Sequence, residues 1–246
     1  MNKLYLIIPV YNEENCIEDV IREWYPVVCQ IGNESKLIIL NDGSTDHTFK
    51  VISQLIKEYP KIELINKKNT GHGPTCLYGY NYAIENHADY IFQTDSDGQT
   101  EASEFWKFWI KRNEADFIIG YRKIRKDGLL RWIISKILRI VILILFKTYV
   151  KDSNVPFRLM NVVPLQKYLS HIPNNFYLAN SLLTTLLVMH KENINWEAIH
   201  FNKRTGGMPS VTLRRFYKVG CMVIKDFRDY YKTIKEDEYL NMNNNK

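Results

Sequence analysis

Short apolar runs alternate with amphipathic stretches through the first 120 residues, and this alternation limits the folds open to the chain more than any other feature. The apolar runs predict strands over Lys3–Val10, Lys36–Leu40, Lys61–Ile65, Asp89–Thr94 and Asp116–Gly120. The stretches between them predict helices over about Glu14–Ile31, Thr45–Tyr59, Gly73–Asn86 and Glu101–Asn113. Such alternation is typical of parallel strands joined by helical crossovers. We therefore expect an α/β fold whose mainly parallel sheet is covered by helices on both faces.

Three of the predicted strands end in polar residues. These strand ends lie in Ile7–Glu14, in Leu37–Asp46 and at Asp95-Ser96-Asp97. The carboxyl ends of parallel strands meet at one edge of an open sheet, where ligands bind. The sequence therefore predicts one polar crevice built from all three strand ends.

Asp95 and Asp97 stand one residue apart where the fourth predicted strand opens into a loop. Two carboxylates in this arrangement can face one Mg²⁺ or Mn²⁺ ion, since such cations prefer oxygen ligands and often share them with substrate phosphates. An ordinary acidic turn uses the same residue types, so the pair alone leaves both interpretations open. The two polar strand ends upstream favour the metal site.

Length and charge narrow the class of protein. The chain has 246 residues, 46% of them hydrophobic, which is enough for a sizeable core in one domain with an extension. Its net charge of +6 is typical of proteins that bind nucleic acid, anionic lipid or phosphorylated substrates. The sequence has no evident nucleic-acid motif, and its basic residues flank apolar helices instead of lining a groove with aromatic platforms. We therefore expect a lipid surface or a phosphorylated substrate, and no nucleic acid.

The cysteines and the N-terminus favour a cytosolic location. Cys16, Cys29, Cys76 and Cys221 lack the spacing of metal ligands, and reduced core thiols explain them. The first predicted strand follows the initial Met almost directly, so we expect no signal peptide.

The segment Leu129–Val150 is strongly apolar but contains four basic residues, namely Arg131, Lys136, Arg139 and Lys147. A membrane-spanning helix needs about 20 mostly uncharged residues, so we expect no span. Several polar residues share one side of the predicted helix, which favours a helix lying in the membrane interface with its cations near anionic headgroups. Packing of this helix against the domain's own core remains the alternative.

The rest of the chain predicts a loop, three helices and a strand. In chain order these are the loop Asp152–Leu159, helices Val163–His171 and Ala179–Glu192, strand Asn195–Phe201 and helix Val211–Ile234. The last helix mixes basic and apolar residues, and predicts either a second membrane-surface helix or the interface of a homodimer. We expect residues 1–120 to bind nucleotide and metal, residues 121–235 to bind the acceptor, and residues 236–246 to form a disordered tail.

The three strand ends, in this order, resemble family 2 glycosyltransferases, whose nucleotide-sugar domain has the GT-A fold. The resemblance covers roughly the first half of the chain. It implies that Asp95 faces the nucleotide, that Asp97 is the direct metal ligand and that Gln99 assists the metal site. The implied nucleotide contacts are Pro9, Tyr11, Glu13, Asp42 and Gly71. His72 is interpreted as a loop residue.

The second half resembles the polyprenyl-phosphate (dolichyl-phosphate) sugar synthases of this family. The resemblance implies that Arg122, Arg131 and Arg204 gather the acceptor phosphate and that Ser135 assists them. The guanidinium fork suits this task because it pairs with phosphate oxygens in a bidentate way. The alternative places these arginines on solvated or lipid-facing surfaces. This chain also departs from many relatives by having Val155-Pro156 before Phe157, and Asn180 where they have a glutamate.

The function that the resemblance implies is metal-dependent, inverting transfer of a sugar from a UDP- or GDP-sugar to polyprenyl phosphate, at the cytoplasmic side of a membrane. Transfer to a sugar hydroxyl is the enzymatic alternative; it needs a general base, for which Asp152 or Glu197 are candidates. A nucleotide-sugar-binding or scaffold protein with a dead site is the third reading. The retained Asp95–Asp97 pair disfavours that reading.

Overall fold

The computed structural model describes residues 2–123, 129–202 and 213–244. Its strands are β1 Leu4–Val10, β2 Lys36–Asp42, β3 Ile62–Lys67, β4 Tyr90–Thr94, β5 Phe117–Arg122, β6 Phe157–Asn161 and β7 Ile194–Ile199. Its helices are α1 Ile17–Ile31, α2 Thr48–Leu55, α3 His72–Glu85, α4 Phe105–Ile110, α5 Leu129–Phe146, α6 Val162–Leu169, α7 Ala179–Met189 and α8 Leu213–Asn244. One 3-10 turn, Ala102–Glu104, precedes α4.

The seven strands form one sheet in the order β3-β2-β1-β4-β6-β5-β7. Strand β1 pairs in parallel with β2 and with β4, β2 pairs in parallel with β3, and β5 pairs in parallel with β7. The predicted α/β fold with a mainly parallel sheet is confirmed. The chain moves outward from β1 to β3 and then returns to place β4 on the other side of β1. This reversal is the point in such sheets where a ligand crevice opens.

Strand β6 corrects the prediction that Asp152–Leu159 is a loop. It runs antiparallel between β4 and β5, and Leu159 lies opposite both Phe92 and Ile118. The prediction failed because Arg158 interrupts the apolar pattern of this short strand. Arg158 is nevertheless fully buried, so a residue type that usually indicates an exposed position is here part of the core.

An aromatic cluster packs at the end of the sheet where β4 leads into Asp95 and Asp97. The ring of Phe157 on β6 lies 4.7 Å from that of Phe92 on β4 and 4.9 Å from that of Phe108 on α4, measured between centroids. Trp24 of α1 packs 5.5 Å from Phe92. Because aromatic side chains bury large areas, this cluster locks α1, α4, β4 and β6 together.

Helix α5 packs against the protein on one face and exposes apolar residues on the other. Leu138, Ile142 and Phe146 are buried, and the ring of Phe146 lies 5.5 Å from that of Tyr231 on α8. The opposite face carries an exposed row that we call the α5 stripe, made of Ile133, Ile137, Ile140 and Ile144. The buried face packs against the protein's own core, as the second alternative for this helix expects, and the membrane-interface interpretation stays a prediction. Among the helices of the described residues, none combines the length and the apolar character needed to cross a bilayer.

Helix α8 continues to Asn244, through most of the segment 236–246 that the sequence predicts as a disordered tail. Residues 221–246 contain neither glycine nor proline, so the local sequence offers no strong helix terminator. Strands β6 and β7 come from the predicted acceptor half but complete the same sheet as β1–β5. The functional division at residue 120 stays a prediction.

Candidate active site

Side-chain hydrogen bonds join the ends of β1 and β2. The N–H of Asn12 donates to Ser44 Oγ over 3.0 Å, and the N–H of Thr45 donates to Asn12 Oδ1 over 2.8 Å. Asn12 has a left-handed φ of +54°, which asparagine tolerates better than most residues. Beside this turn, Tyr11 is 47% exposed, and its ring can stack on a planar base.

Asp42 is buried at the end of β2, and its carboxylate organises the loop before α3. The N–H groups of Thr70 and Gly71 each donate to it over 2.9 Å, and Lys67 forms an ion pair with it. Burial acts to raise the pKa of Asp42, but these donors outweigh burial and lower the pKa below its ordinary value. Asp42 is therefore ionised at neutral pH, as an acceptor for a base N–H must be. Its contact with the base stays a prediction.

Two glycines shape the loops after β2 and β3, Gly71 through its backbone conformation and Gly43 by allowing a close approach. Gly71 has a φ of +96° at the N-terminal boundary of α3, a conformation that side chains other than glycine rarely adopt. A Cβ atom on Gly43 would lie only 2.7 Å from the backbone nitrogen of Asn69. These glycines hold the loop 69–73 against the end of β2.

Glu13 links the end of β1 to the loop that carries the aspartate pair. It is 5% exposed, and the Cys16 thiol, which has one proton to donate, lies 3.1 Å from Glu13 Oε2 and 3.3 Å from the Ser96 carbonyl oxygen. Pro9 is buried within β1. The nucleotide contacts expected of Glu13 and Pro9 stay predictions.

Asp95 and Asp97 are both half-buried at the end of β4. Asp95 Oδ1 accepts two hydrogen bonds, from His72 Nε2 over 2.9 Å and from Gln93 Nε2 over 3.1 Å. The carboxylate can only accept, so the proton of this His72 contact belongs to the ring nitrogen. Asp97 Oδ1 accepts from the N–H of Gln99 over 3.2 Å.

The structure thus gives His72 and Gln93 a place at the site that sequence reasoning missed. His72 stands at the start of α3, inside the glycine loop, and its ring reaches the aspartate pair. The only signal in the sequence was its place in that loop. Gln93 carried no signal, because it falls inside the apolar run of β4.

The aspartate pair fits a divalent cation that completes its shell with substrate. Across residues 2–123, 129–202 and 213–244, no three His, Cys, Asp or Glu side chains are grouped so as to hold a metal by themselves. The donors present are carboxylate oxygens, which suit Mg²⁺ or Mn²⁺ when diphosphate and water supply the other ligands. Asp95 and Asp97 are therefore the residues that would hold such an ion.

Gln99 connects the loop of the aspartate pair to the segment after β7. It is 3% exposed, its Nε2 donates to the Asn202 carbonyl over 2.9 Å, and its own carbonyl accepts from the Asn202 N–H over 2.8 Å. These contacts hold the loop in place. A direct contact between Gln99 and a metal ion stays a prediction.

Arg122 lies at the end of β5 in a two-pronged ion pair with Asp152. Its Nε and Nη2 atoms each donate to a different Asp152 oxygen over 2.8 Å, and the two side chains are only 9% and 7% exposed. The guanidinium also lies 5.2 Å from the ring centre of Phe201. Because Phe201 precedes Asn202, this contact brings Arg122 towards the loop of the aspartate pair.

The structure describes only some of the remaining residues that were predicted to bind the acceptor. Ser135 is half-buried on α5, whereas Arg204 and the side chain of Arg131 lie outside the described residues. The gathering of three arginines around a phosphate therefore stays a prediction. The two carboxylates proposed as alternative general bases are both paired, Asp152 with Arg122 and Glu197 with Lys111.

Comparison with known proteins gives the same fold and names a family. The crystal structure of glucosyl-3-phosphoglycerate synthase from Mycobacterium tuberculosis with Mn²⁺, UDP and glucosyl-3-phosphoglycerate superposes with a TM-score of 0.67. The match covers 94% of this chain and 80% of that chain at 15% sequence identity. A second neighbour, described as a mycobacterial protein, has a TM-score of 0.67 at 14% identity, covering 94% of this chain and 75% of that one. At such identities the likeness concerns the fold alone.

Two curated relatives have the same name, undecaprenyl-phosphate 4-deoxy-4-formamido-L-arabinose transferase. The protein from Proteus mirabilis (strain HI4320) is 28% identical over 145 residues, which are 58% of this chain and 44% of that protein. The protein from Salmonella paratyphi B is 26% identical over 145 residues, 58% of this chain and 43% of that protein. The match therefore spans less than half of each relative.

The family profile described as Glycosyl transferase family 2 matches residues 5–174. The matched region contains β1–β6, the aspartate pair, the glycine loop and the Arg122–Asp152 pair. It is well over half of the 246 residues. The chain belongs to glycosyl transferase family 2.

Proposed function

We propose that this protein is a metal-dependent, inverting glycosyltransferase that moves a sugar from a UDP- or GDP-sugar to polyprenyl phosphate. The observation that carries the proposal is the convergence of Tyr11, Asp42 and the Asp95–Asp97 pair at three strand ends. These strand ends are tied to one another by the hydrogen bonds of Asn12, Asp42 and Asp95. An exposed aromatic ring, an ionised acceptor and two carboxylates match the base and the diphosphate of a nucleotide sugar.

The donor side of the reaction requires a departing diphosphate to be stabilised. A divalent cation bound at Asp95 and Asp97 would neutralise the charge that develops on it. Tyr11 and Asp42 hold the base, and Asp42 also holds the glycine loop close to the donor. The solved M. tuberculosis neighbour contains UDP together with Mn²⁺, which supports this assignment of donor and metal.

The acceptor side needs a phosphate placed in line with the anomeric carbon. In the transfer, an acceptor phosphate oxygen forms a bond to that carbon while the carbon–oxygen bond to the diphosphate breaks on the opposite face, which inverts the configuration. A phosphate is already an anion near neutral pH, so positioning takes the place of a general base. The curated relatives are named for undecaprenyl phosphate, which supports a lipid phosphate as acceptor. We assign Arg122, Arg131, Ser135 and Arg204 to this acceptor phosphate.

A lipid acceptor also requires contact with a membrane surface. The residues of the α5 stripe are between 37% and 70% exposed, and at about 100° per residue they fall on one line along the helix. Exposed Lys136 lies beside this line on α5, and exposed Lys147 directly follows the end of the helix. An apolar face bordered by cations suits the interface of an anionic membrane. We infer peripheral binding at the cytoplasmic side; pairing of two copies through α8 stays a prediction.

The test is a transfer assay with radiolabelled UDP- and GDP-sugars and a short-chain polyprenyl phosphate. We expect a labelled lipid product with Mg²⁺ or Mn²⁺ and none after a chelator is added. Asp97→Ala should abolish the product, because it removes the direct metal ligand. Asp19→Asn is the matched control; Asp19 is exposed on α1, and this variant should transfer normally.

The same assay separates the alternatives. Full activity of Asp97→Ala, or of wild type with chelator, would contradict the metal assignment. Hydrolysis of the donor without a lipid product would keep a glycosyltransferase but move the acceptor to a sugar hydroxyl. Absence of both hydrolysis and transfer with every donor would favour a binding protein.

A further inference from the structure

A buried chain of three polar side chains reaches the aspartate pair from beneath. Gln93 and Tyr80 are fully buried and Asn180 is 3% exposed. Tyr80 OH donates to Asn180 Oδ1 over 2.7 Å, Asn180 Nδ2 donates to Gln93 Oε1 over 2.9 Å, and Gln93 Nε2 donates to Asp95 Oδ1 over 3.1 Å. We call this chain the Asp95 relay. It joins α3, α7 and β4 behind the site.

The direction of the relay is fixed at one end by Asp95. An ionised carboxylate accepts hydrogen bonds and donates none, so Gln93 must turn its amide nitrogen towards Asp95. Its amide oxygen then faces Asn180, which must in turn present its own nitrogen. Asn180 therefore has to be a donor towards Gln93 and an acceptor towards Tyr80. An asparagine side chain meets both demands, whereas a carboxylate at this position meets only the second.

Tyr80 fixes the direction at the other end. Burial raises the pKa of the Tyr80 hydroxyl well above its ordinary value, so the group keeps its proton and donates. Arg158 holds the main chain at this position, because its Nη1 atom donates to the backbone carbonyl of Asn180 over 3.3 Å. None of the side-chain atoms of the relay is among the buried groups that lack a hydrogen-bond partner in the described residues.

The relay has a consequence for the geometry of Asp95. Gln93 approaches Asp95 Oδ1 from inside the protein and His72 approaches the same oxygen from the glycine loop. Two donors on one oxygen fix the plane of the carboxylate and leave Oδ2 without a hydrogen bond from the described part of the chain. That second oxygen is the one available to a cation or to the nucleotide.

We propose that Asn180 is a positioning residue, which sets the direction of the Asp95 relay and thereby orients Asp95 for binding the metal–nucleotide complex. This inference rests on the proposed function. It assigns a role in donor binding to a side chain on α7 that touches neither donor nor metal. It also gives Gln93 and Tyr80 a part in orienting Asp95, as members of the same hydrogen-bonded chain.

The decisive variant is Asn180→Asp, which keeps the size of the side chain but turns the donor into an acceptor. Gln93 must then either face the new carboxylate oxygen with its own oxygen or turn over and present that oxygen to Asp95. In both cases Asp95 loses a well-placed donor. Partners that orient metal ligands typically contribute 10- to 100-fold to metal affinity, so we expect roughly this loss in affinity for Mn²⁺ with UDP or GDP.

The measurement is calorimetric titration with Mn²⁺ plus UDP and, separately, Mn²⁺ plus GDP, alongside thermal unfolding of each variant. Asn161→Asp is the matched control, because Asn161 caps α6 through its side-chain oxygen, which an aspartate retains. It should bind as wild type does. Tyr80→Phe is a second test that removes a single hydroxyl, and it should also weaken binding because Asn180 loses the donor that selects its orientation.

The outcomes separate this inference from the proposed function. Wild type that binds neither nucleotide with Mn²⁺ would overturn the proposed function and the role of the relay with it. The role of the relay alone would be overturned by a different result. In that result wild type binds the nucleotide with Mn²⁺, and the folded Asn180→Asp and Tyr80→Phe variants bind it with the same affinity. A purely structural role predicts this last result, with lower melting temperatures and unchanged affinity. If Asn180→Asp does not fold, Tyr80→Phe decides.

Discussion

Breaking the ion pair between Arg122 and Asp152 should strongly destabilise the protein. The pair makes two hydrogen bonds of 2.8 Å, and its side chains are 9% and 7% exposed. Removing one partner of such a buried pair leaves an uncompensated charge and typically costs about 3–5 kcal/mol. We expect Asp152→Ala to lower the free energy of unfolding by that amount. In a domain of this size each kcal/mol lowers the melting temperature by about 2–4 °C, so the shift should be about 6–20 °C.

The assay is urea unfolding followed by circular dichroism, on three variants. Asp152→Asn keeps a neutral acceptor for the guanidinium, so its loss should be smaller than that of Asp152→Ala. The double variant Arg122→Met with Asp152→Leu removes both charges and fills the space with apolar side chains. It should recover most of the stability, because replacing a buried pair by apolar residues is often neutral or stabilising.

A loss below about 1 kcal/mol for Asp152→Ala would refute this reasoning, since it is the value typical of a solvent-exposed pair. The same variants bear on the acceptor. A folded Asp152→Asn protein that binds the donor but transfers nothing would identify Asp152 as a general base and favour a sugar hydroxyl as acceptor.

Three further predictions concern donor binding, acid stability and the membrane. Tyr11→Ala should weaken UDP or GDP binding by about 1–3 kcal/mol in a fluorescence titration if the ring stacks on the base, whereas exposed Tyr78→Ala should not. The pKa of Asp42 is lowered in the folded protein, so its stabilising contribution is complete above about pH 4 and disappears as the pH falls through the folded-state value. The free energy of unfolding should therefore fall more steeply below about pH 4 in wild type than in Asp42→Asn, and an identical pH dependence of the two proteins would contradict this. The double variant Ile137→Glu with Ile144→Glu should no longer sediment with vesicles containing phosphatidylglycerol; unchanged sedimentation would exclude the α5 stripe as the contact.

The central parallel strands β1, β2 and β4 were predictable because they are buried on both faces and therefore form continuous apolar runs. Strand β6 was not, because Arg158 replaces an apolar residue in a strand of five. The guanidinium is satisfied by the carbonyl of Val155 over 2.8 Å and by the hydroxyl of Thr184 over 3.3 Å. Thr184 stands 26 residues further along the chain, and its contact with Arg158 is invisible in a sequence pattern, so the buried arginine reads there as a surface residue.

The place of the aspartate pair at a strand end was predictable, because the pair directly follows the apolar run of β4, whereas its metal role stays a prediction. The supporting residues were not, because their roles depend on neighbours far along the chain. Asn180 stood out in the sequence only as a departure from relatives, and its partners Tyr80 and Gln93 become apparent only when α7 packs beside β4. The pairing of Arg122 with Asp152 was likewise hidden, although both residues had been singled out separately.

The position of β6 also affects how this protein can be made. Strand β4, which ends at the aspartate pair, borders β6 on one side, and β5 borders β6 and β7. While the ribosome synthesises the chain, the outer edge of β4 has no partner strand until residues 157–161 have emerged. A fragment ending at Gly120 would keep that edge open, with unpaired backbone groups that invite association with other chains. We therefore expect residues 1–120 to be recovered in soluble form only when the second half of the chain is expressed with them.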